Sequence, residues 1–265
     1  MTAVTPNSPV PSATVVPVRG LGRRLANVVR LHSANPFTIL VIPLMVLGII
    51  FLANWVIWWL ISAATSGDRT AIENASEGLQ YSGASMWTFV YMMVVAIQAM
   101  NLSFPFALGF GSTRRDYALG TAVTFVGLSA FFAIVYSILA AVETATSGWG
   151  MGGAMFNAIY FGIDLPWYER TFNVFTAFLF FFAIGSVFGA IYVRYKARGT
   201  ILFFLVLSLA LIGGVALITL NQGWGTFADV FVTLGFTGSY AASLGLSAIA
   251  ATAGYLILQR ATPRA

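Results

Sequence analysis

Few residues in this chain could do chemistry, and their kinds exclude more than they allow. There is no cysteine and only one histidine, His32. Disulfides, thiol catalysis and Cys-based metal sites are therefore excluded, and a lone histidine cannot build a histidine cage. No nucleophile stands with a base, and no pair of carboxylates suits acid–base work. No G-x-x-x-x-G-K-[ST] phosphate loop occurs, so the chain is not expected to hydrolyse ATP or to bind a cofactor or metal by itself. The densest group of functional side chains lies in GFGSTRRDYALG, residues 109–120, where Ser112, Thr113, Arg114, Arg115, Asp116 and Tyr117 follow one another. Thr113 to Asp116 fits the pattern [ST]-x-x-[DE], in which Thr113 caps a new helix and Asp116 reaches back to it. The expectation is a short helical knob that exposes Arg114 and Arg115 to an acidic groove on a partner. The plainer reading is that the two arginines only fix membrane topology.

The elements around this stretch are apolar. Hydrophobic residues make up 59% of the 265 and charged residues 8%, against about a quarter charged in soluble domains. An all-α polytopic membrane protein follows, because a segment in lipid must satisfy its backbone internally and a helix needs about 20 apolar residues to cross. Six segments qualify: 37–63, 86–109, 118–142, 172–193, 200–221 and 239–259. None contains Asp, Glu, Lys, Arg or His. Residues 150–167 and 223–236 are apolar but short or Gly-rich, and read as interfacial or re-entrant pieces; counting both as spans would give eight crossings. With six spans, of the 13 lysines and arginines all but Arg69 and Arg170 fall on one side. Cytoplasmic loops are the basic ones, so both termini are expected inside a multi-pass cell-membrane protein. The net charge of +5 is thus sorted by membrane side and does not call for nucleic acid.

Residues 1–17 carry Pro6, Pro9, Pro11 and Pro17 and read as a disordered tail, not a signal peptide. Residues 18–35 form an amphipathic helix. Val18, Leu21, Leu25, Val28 and Val29 share one face, and Arg19, Arg23, Asn27 and Arg30 the other, with Arg24 adding to the basic side. Such a helix lies in the interface with its charges toward anionic headgroups. The spanning domain covers 36–260, and 261–265 is a short tail.

Within the spans, polar residues are the remaining candidates. Asn54, Trp58 and Ser62 recur every four residues, and Gln98, Asn101 and Pro105 share a face. They either line a substrate path or join helices by hydrogen bonds. Gly185 with Gly189, and Ser239, Ser243 and Ser247, read as close-packing positions. Without a titratable group in the spans, a proton relay is disfavoured. Sodium coupling or a separate energy-supplying subunit remains.

The basic amphipathic helix, six spans, and Gly111-Ser112-Thr113-Arg114-Arg115-Asp116-Tyr117 with Gly120 together resemble the membrane subunit of type-2 ABC exporters, in particular small bacterial, actinobacterial-like permeases. The resemblance covers about residues 18–260. It implies that 112–117 is the coupling element that seats in a separate nucleotide-binding ATPase subunit, where ATP and magnesium would bind. It implies that Arg19, Arg23, Arg24 and Arg30 belong to a connecting helix that touches the same subunit. A second transmembrane subunit, identical or related, would complete the path, with Asn54, Trp58, Gln98 and Asn101 as candidate lining. An amphipathic or hydrophobic substrate suits the composition. Residues 143–171 make a longer outer segment than that family's pattern. A non-transporting scaffold or immunity protein, and a secondary carrier not driven by ATP, are the alternatives.

Overall fold

The computed structural model describes residues 20–65, 78, 83–162 and 165–261, and these are helical throughout their regular parts. After the amphipathic helix α1 (Leu21–His32) come five helices long and apolar enough to cross a membrane: α2 (Phe37–Ala64), α3 (Met86–Gly109), α4 (Arg114–Ala145), α5 (Trp167–Leu220) and α6 (Trp224–Gln259). Their positions follow the apolar runs, since no charge interrupts the middle of any run. The tail at 1–17, Arg19, the acids between 66 and 77, Asp164 and the residues after Ala261 lie outside the described residues.

Two of these helices contain a reversal or kink. α5 has 54 residues, about 80 Å at 1.5 Å per residue, far beyond a hydrocarbon core of about 30 Å. It breaks at Lys196, where φ is 56° and ψ is −161°. The Phe188 and Phe204 rings lie 5.0 Å apart, where a straight helix would separate those positions by about 24 Å. The chain therefore folds back on itself at Lys196, and the two arms correspond to the apolar runs 172–193 and 200–221. In α6 the break is at Gly235, with φ 66° and ψ −177°, a region that glycine alone enters without strain. Residues 223–236, expected as an interfacial or re-entrant piece, are helical up to that break.

Two prolines reshape the spans without ending them. The helix widens into π geometry at Phe37–Val41 and at Ala99–Ser103, in each case two residues before a proline, Pro43 and Pro105. Proline lacks the N–H that would bond four residues back, and its ring crowds that carbonyl. A register shift to i→i+5 relieves both.

The core sits between α3, α4 and the first arm of α5. Phe89 stacks on Phe178 at 4.1 Å, and Phe125 on Phe182 at 4.5 Å. Phe132 packs against Phe178 at 5.3 Å. The glycines of the G-x-x-x-G pair sit where α5 crosses α3. A Cβ on Gly185 would strike the Met93 carbonyl, and one on Gly189 would come within 2.6 Å of the Met100 Cβ. Small residues that let backbones approach are the usual means of joining helices in lipid, where burial of apolar surface gives no drive. In contrast α2, the second arm of α5 and the first part of α6 present mostly exposed apolar side chains.

Candidate functional site

The stretch 109–120 lies at one end of the bundle, here the basic end. α3 finishes at Gly109, and Gly111 takes φ 78° to turn the chain. α4 starts at Arg114. Thr113 caps it as its type and spacing predict: its Oγ1 accepts the Asp116 N–H at 3.1 Å. The knob expected from the capping pattern is not a separate helix, however. α4 runs on without a break from Arg114 to Ala145, because the apolar run following the cap is helix-forming at every turn.

Nor does Asp116 reach back to complete the capping box. Its carboxylate is buried and receives Arg24 Nη1 of α1 at 3.1 Å. Arg114, expected to be exposed, turns to the last turn of α6 and donates Nη1 to the carbonyls of Leu258, at 3.3 Å, and Gln259. The Leu258 carbonyl also accepts the Ala261 N–H at 3.1 Å, and both carbonyls carry the negative end of the helix dipole, so a guanidinium is well placed there. Tyr117 is fully buried. Its hydroxyl donates to the Ala99 carbonyl at 2.7 Å, at the start of the π turn in α3. Ser112 is half-buried, while Thr113 and Arg115 are exposed. One short segment thus ties together α1, α3, α4 and α6.

α1 lies directly on α4. Val28 is buried, and a Cβ on Gly120 would come within 2.5 Å of the Val28 Cβ. The motif glycine is therefore required by the close approach of two helices. His32 closes the contact: a ring nitrogen is 2.8 Å from Thr121 Oγ1, and the ring lies 5.6 Å from Tyr117 and 6.2 Å from Phe125. Burial among these groups lowers the imidazole pKa from 6.5 to about 4, so it is neutral near pH 7. Arg23 and Arg30 remain exposed on the far side of α1. The residue that composition and spacing did not single out is Phe110. It stands 78% exposed at the tip of the turn, its ring 4.6 Å from Phe106. A Gly-flanked aromatic beside a charged turn was its only signal.

The candidate path residues occupy two separate places. Trp58 is buried against Gly153, whose Cβ would strike its indole, and Asn54 Nδ2 donates to the Ile50 carbonyl at 3.0 Å. Gln98 is exposed just before the π turn, and Asn101 Oδ1 is buried within it without a hydrogen-bond partner.

The opposite end is closed by residues 148–161. Glu143, at the end of α4, is buried and accepts the N–H groups of Met155 at 2.9 Å, Phe156 at 3.2 Å and Asn157 at 2.8 Å. Trp149 Nε1 adds a fourth donor at 3.0 Å. The carboxylate organises an irregular segment that sends Met155, Phe156 and Phe161 into the core. No cluster of His, Cys, Asp and Glu among the described residues suits a metal. Comparison of the chain with protein-family models, with curated proteins and with solved structures finds no match, so any reading of the basic end rests on its own geometry.

Proposed function

We propose that this chain is the membrane-spanning subunit of an ATP-driven exporter, with six crossings and the basic end in the cytoplasm. The two arms of α5 supply the fourth and fifth crossings. A separate ATPase subunit docks on the turn at 110–113, with Arg23 and Arg30 of α1 beside it. The observation that carries the reading is the linkage behind that turn: Arg24 to Asp116, Tyr117 to Ala99, and Arg114 to the end of α6. A push on Phe110, Ser112 or Thr113 reaches four helices through short, direct contacts, the Tyr117 one fully buried, and is not lost in a flexible loop. Phe110 has the character of a docking anchor, a large aromatic exposed on a constrained turn.

A second transmembrane subunit fits the same reading. Phe89, Phe132, Phe178 and Phe182 fill the interior of one chain, so a path for an amphipathic or hydrophobic substrate would run between two chains. The test is purification of the chain from its native membrane. An ATP-hydrolysing subunit should accompany it, and Phe110→Ala should cut both its retention and ATP-driven transport while the helical content stays unchanged. A chain that purifies free of nucleotide hydrolysis, or transport undiminished in Phe110→Ala, would remove the assignment and favour the scaffold or the secondary carrier.

A further inference from the structure

A groove of about 300 Å³ runs between α4 and α6 at the basic end, with Arg115 at its mouth and Ala118, Ala122, Ala251 and Tyr255 among its walls. The same four residues also line a second cavity of about 130 Å³ that continues toward Phe125 and Val126. Together they form one trough. From Arg115 to Val126 along α4 it extends about 16 Å, roughly half of a hydrocarbon core of about 30 Å. That is the depth of one lipid leaflet.

The polar groups of the trough are unevenly engaged. Thr252 Oγ1 donates to the Ala248 carbonyl at 2.8 Å, and the neighbouring Arg114 is held by the end of α6. The Arg115 guanidinium and the Tyr255 hydroxyl make no hydrogen bond or ion pair with any described residue. Both lie toward the basic end, and beyond them the walls are mainly apolar, with Thr121 and Ser186 as the further hydroxyls. We propose that this trough binds a single anionic phospholipid, its phosphate held by Arg115 and Tyr255 and one acyl chain laid along Ala118 and Ala122. A guanidinium can meet a phosphate with two parallel N–H donors, and Ala118, Ala122 and Ala251 leave a gap for a chain between the larger Leu119, Phe125 and Leu258. The inference rests on placing the basic end at a membrane surface, not on the presence of an ATPase partner.

Titration of the purified full chain in detergent, read by native mass spectrometry, tests it. Dioleoyl phosphatidylglycerol should be retained, one per chain, at about tenfold lower concentration than dioleoyl phosphatidylcholine. Arg115→Gln should abolish that preference, Tyr255→Phe should weaken it, and Arg198→Gln, exposed just after the turn in α5, should leave it intact. Ala122→Phe should reduce retention of phosphatidylglycerol by blocking the floor of the trough. Equal retention of the two lipids by the unaltered chain, or a preference that survives Arg115→Gln, overturns the proposal. So does competition by soluble glycerol phosphate at the same concentration as the lipid, which would mean that the trough takes no acyl chain. No ATPase is present in this measurement, so its outcome is independent of the coupling test on Phe110.

Discussion

At the scale of single residues, the acids and the histidine buried among the described residues are each answered by a neighbour or by loss of charge. Asp116 has Arg24, and Glu143 has three backbone N–H groups and an indole. His32 is answered differently, by losing its charge. Its pKa is about 4 in the docked helix, against about 6.5 for a free imidazole. As pH falls from 6.5 toward 4, a released α1 takes up a proton that the docked one does not. Docking therefore weakens across that window, by up to about 3 kcal/mol at its acid end, and is independent of this group above it. A spin label at Ala26→Cys, in a chain with no other cysteine, should become more mobile between pH 7 and pH 5. His32→Gln, which keeps a hydrogen-bonding group near Thr121 but cannot titrate there, should flatten the response. Equal pH response in both proteins would mean that another group controls the helix.

At the scale of elements, α1 marks the limit of what periodicity conveys. Its apolar and basic faces were legible, but the partner of the apolar face was not. Val28, expected to face lipid, rests on Gly120, and Arg24 reaches a carboxylate 92 positions away. No local spacing encodes a contact of that kind. Gly120→Ala is the direct probe. The nearest atom in the way is the Val28 Cβ, which no rotamer moves, so α1 must lift. Overpacking of this sort costs about 1–3 kcal/mol. The substitution should increase proteolysis between α1 and α2, and adding Val28→Gly should restore part of the protection by removing the Cβ and Cγ1 that collide, less about 1 kcal/mol for a glycine inside a helix. Failure of the second change to rescue the first would show that the glycine serves something other than this contact.

At the scale of the whole molecule, the six apolar runs fall, Asn221 apart, within the five long helices of the described residues, two of them in α5, because lipid permits no charge in mid-span. The sequence marked the turn at Lys196 by its cluster of Arg194, Lys196 and Arg198, and its division between 223–236 and 239–259 falls beside the break at Gly235. It did not mark the role of Glu143, whose partners are mainly backbone N–H groups and so leave no side-chain pattern. On the proposed topology the folded-back α5 crosses twice. The absence of cysteine makes this measurable with single substitutions and an impermeant thiol reagent. On the proposed topology, Ser112→Cys, Lys196→Cys and Arg260→Cys react from the cytoplasmic side, while Thr146→Cys and Gln222→Cys react from the other. The pair Phe188→Cys and Phe204→Cys, whose rings are 5.0 Å apart, should also cross-link within one chain. Labelling of Lys196→Cys from the same side as Gln222→Cys would leave α5 a hairpin that enters and leaves on one face. The crossings would then number four, an even count that still leaves the termini on one side, but the Lys196 turn would lie on the face opposite Ser112 and Arg260 and would be lost from the basic end.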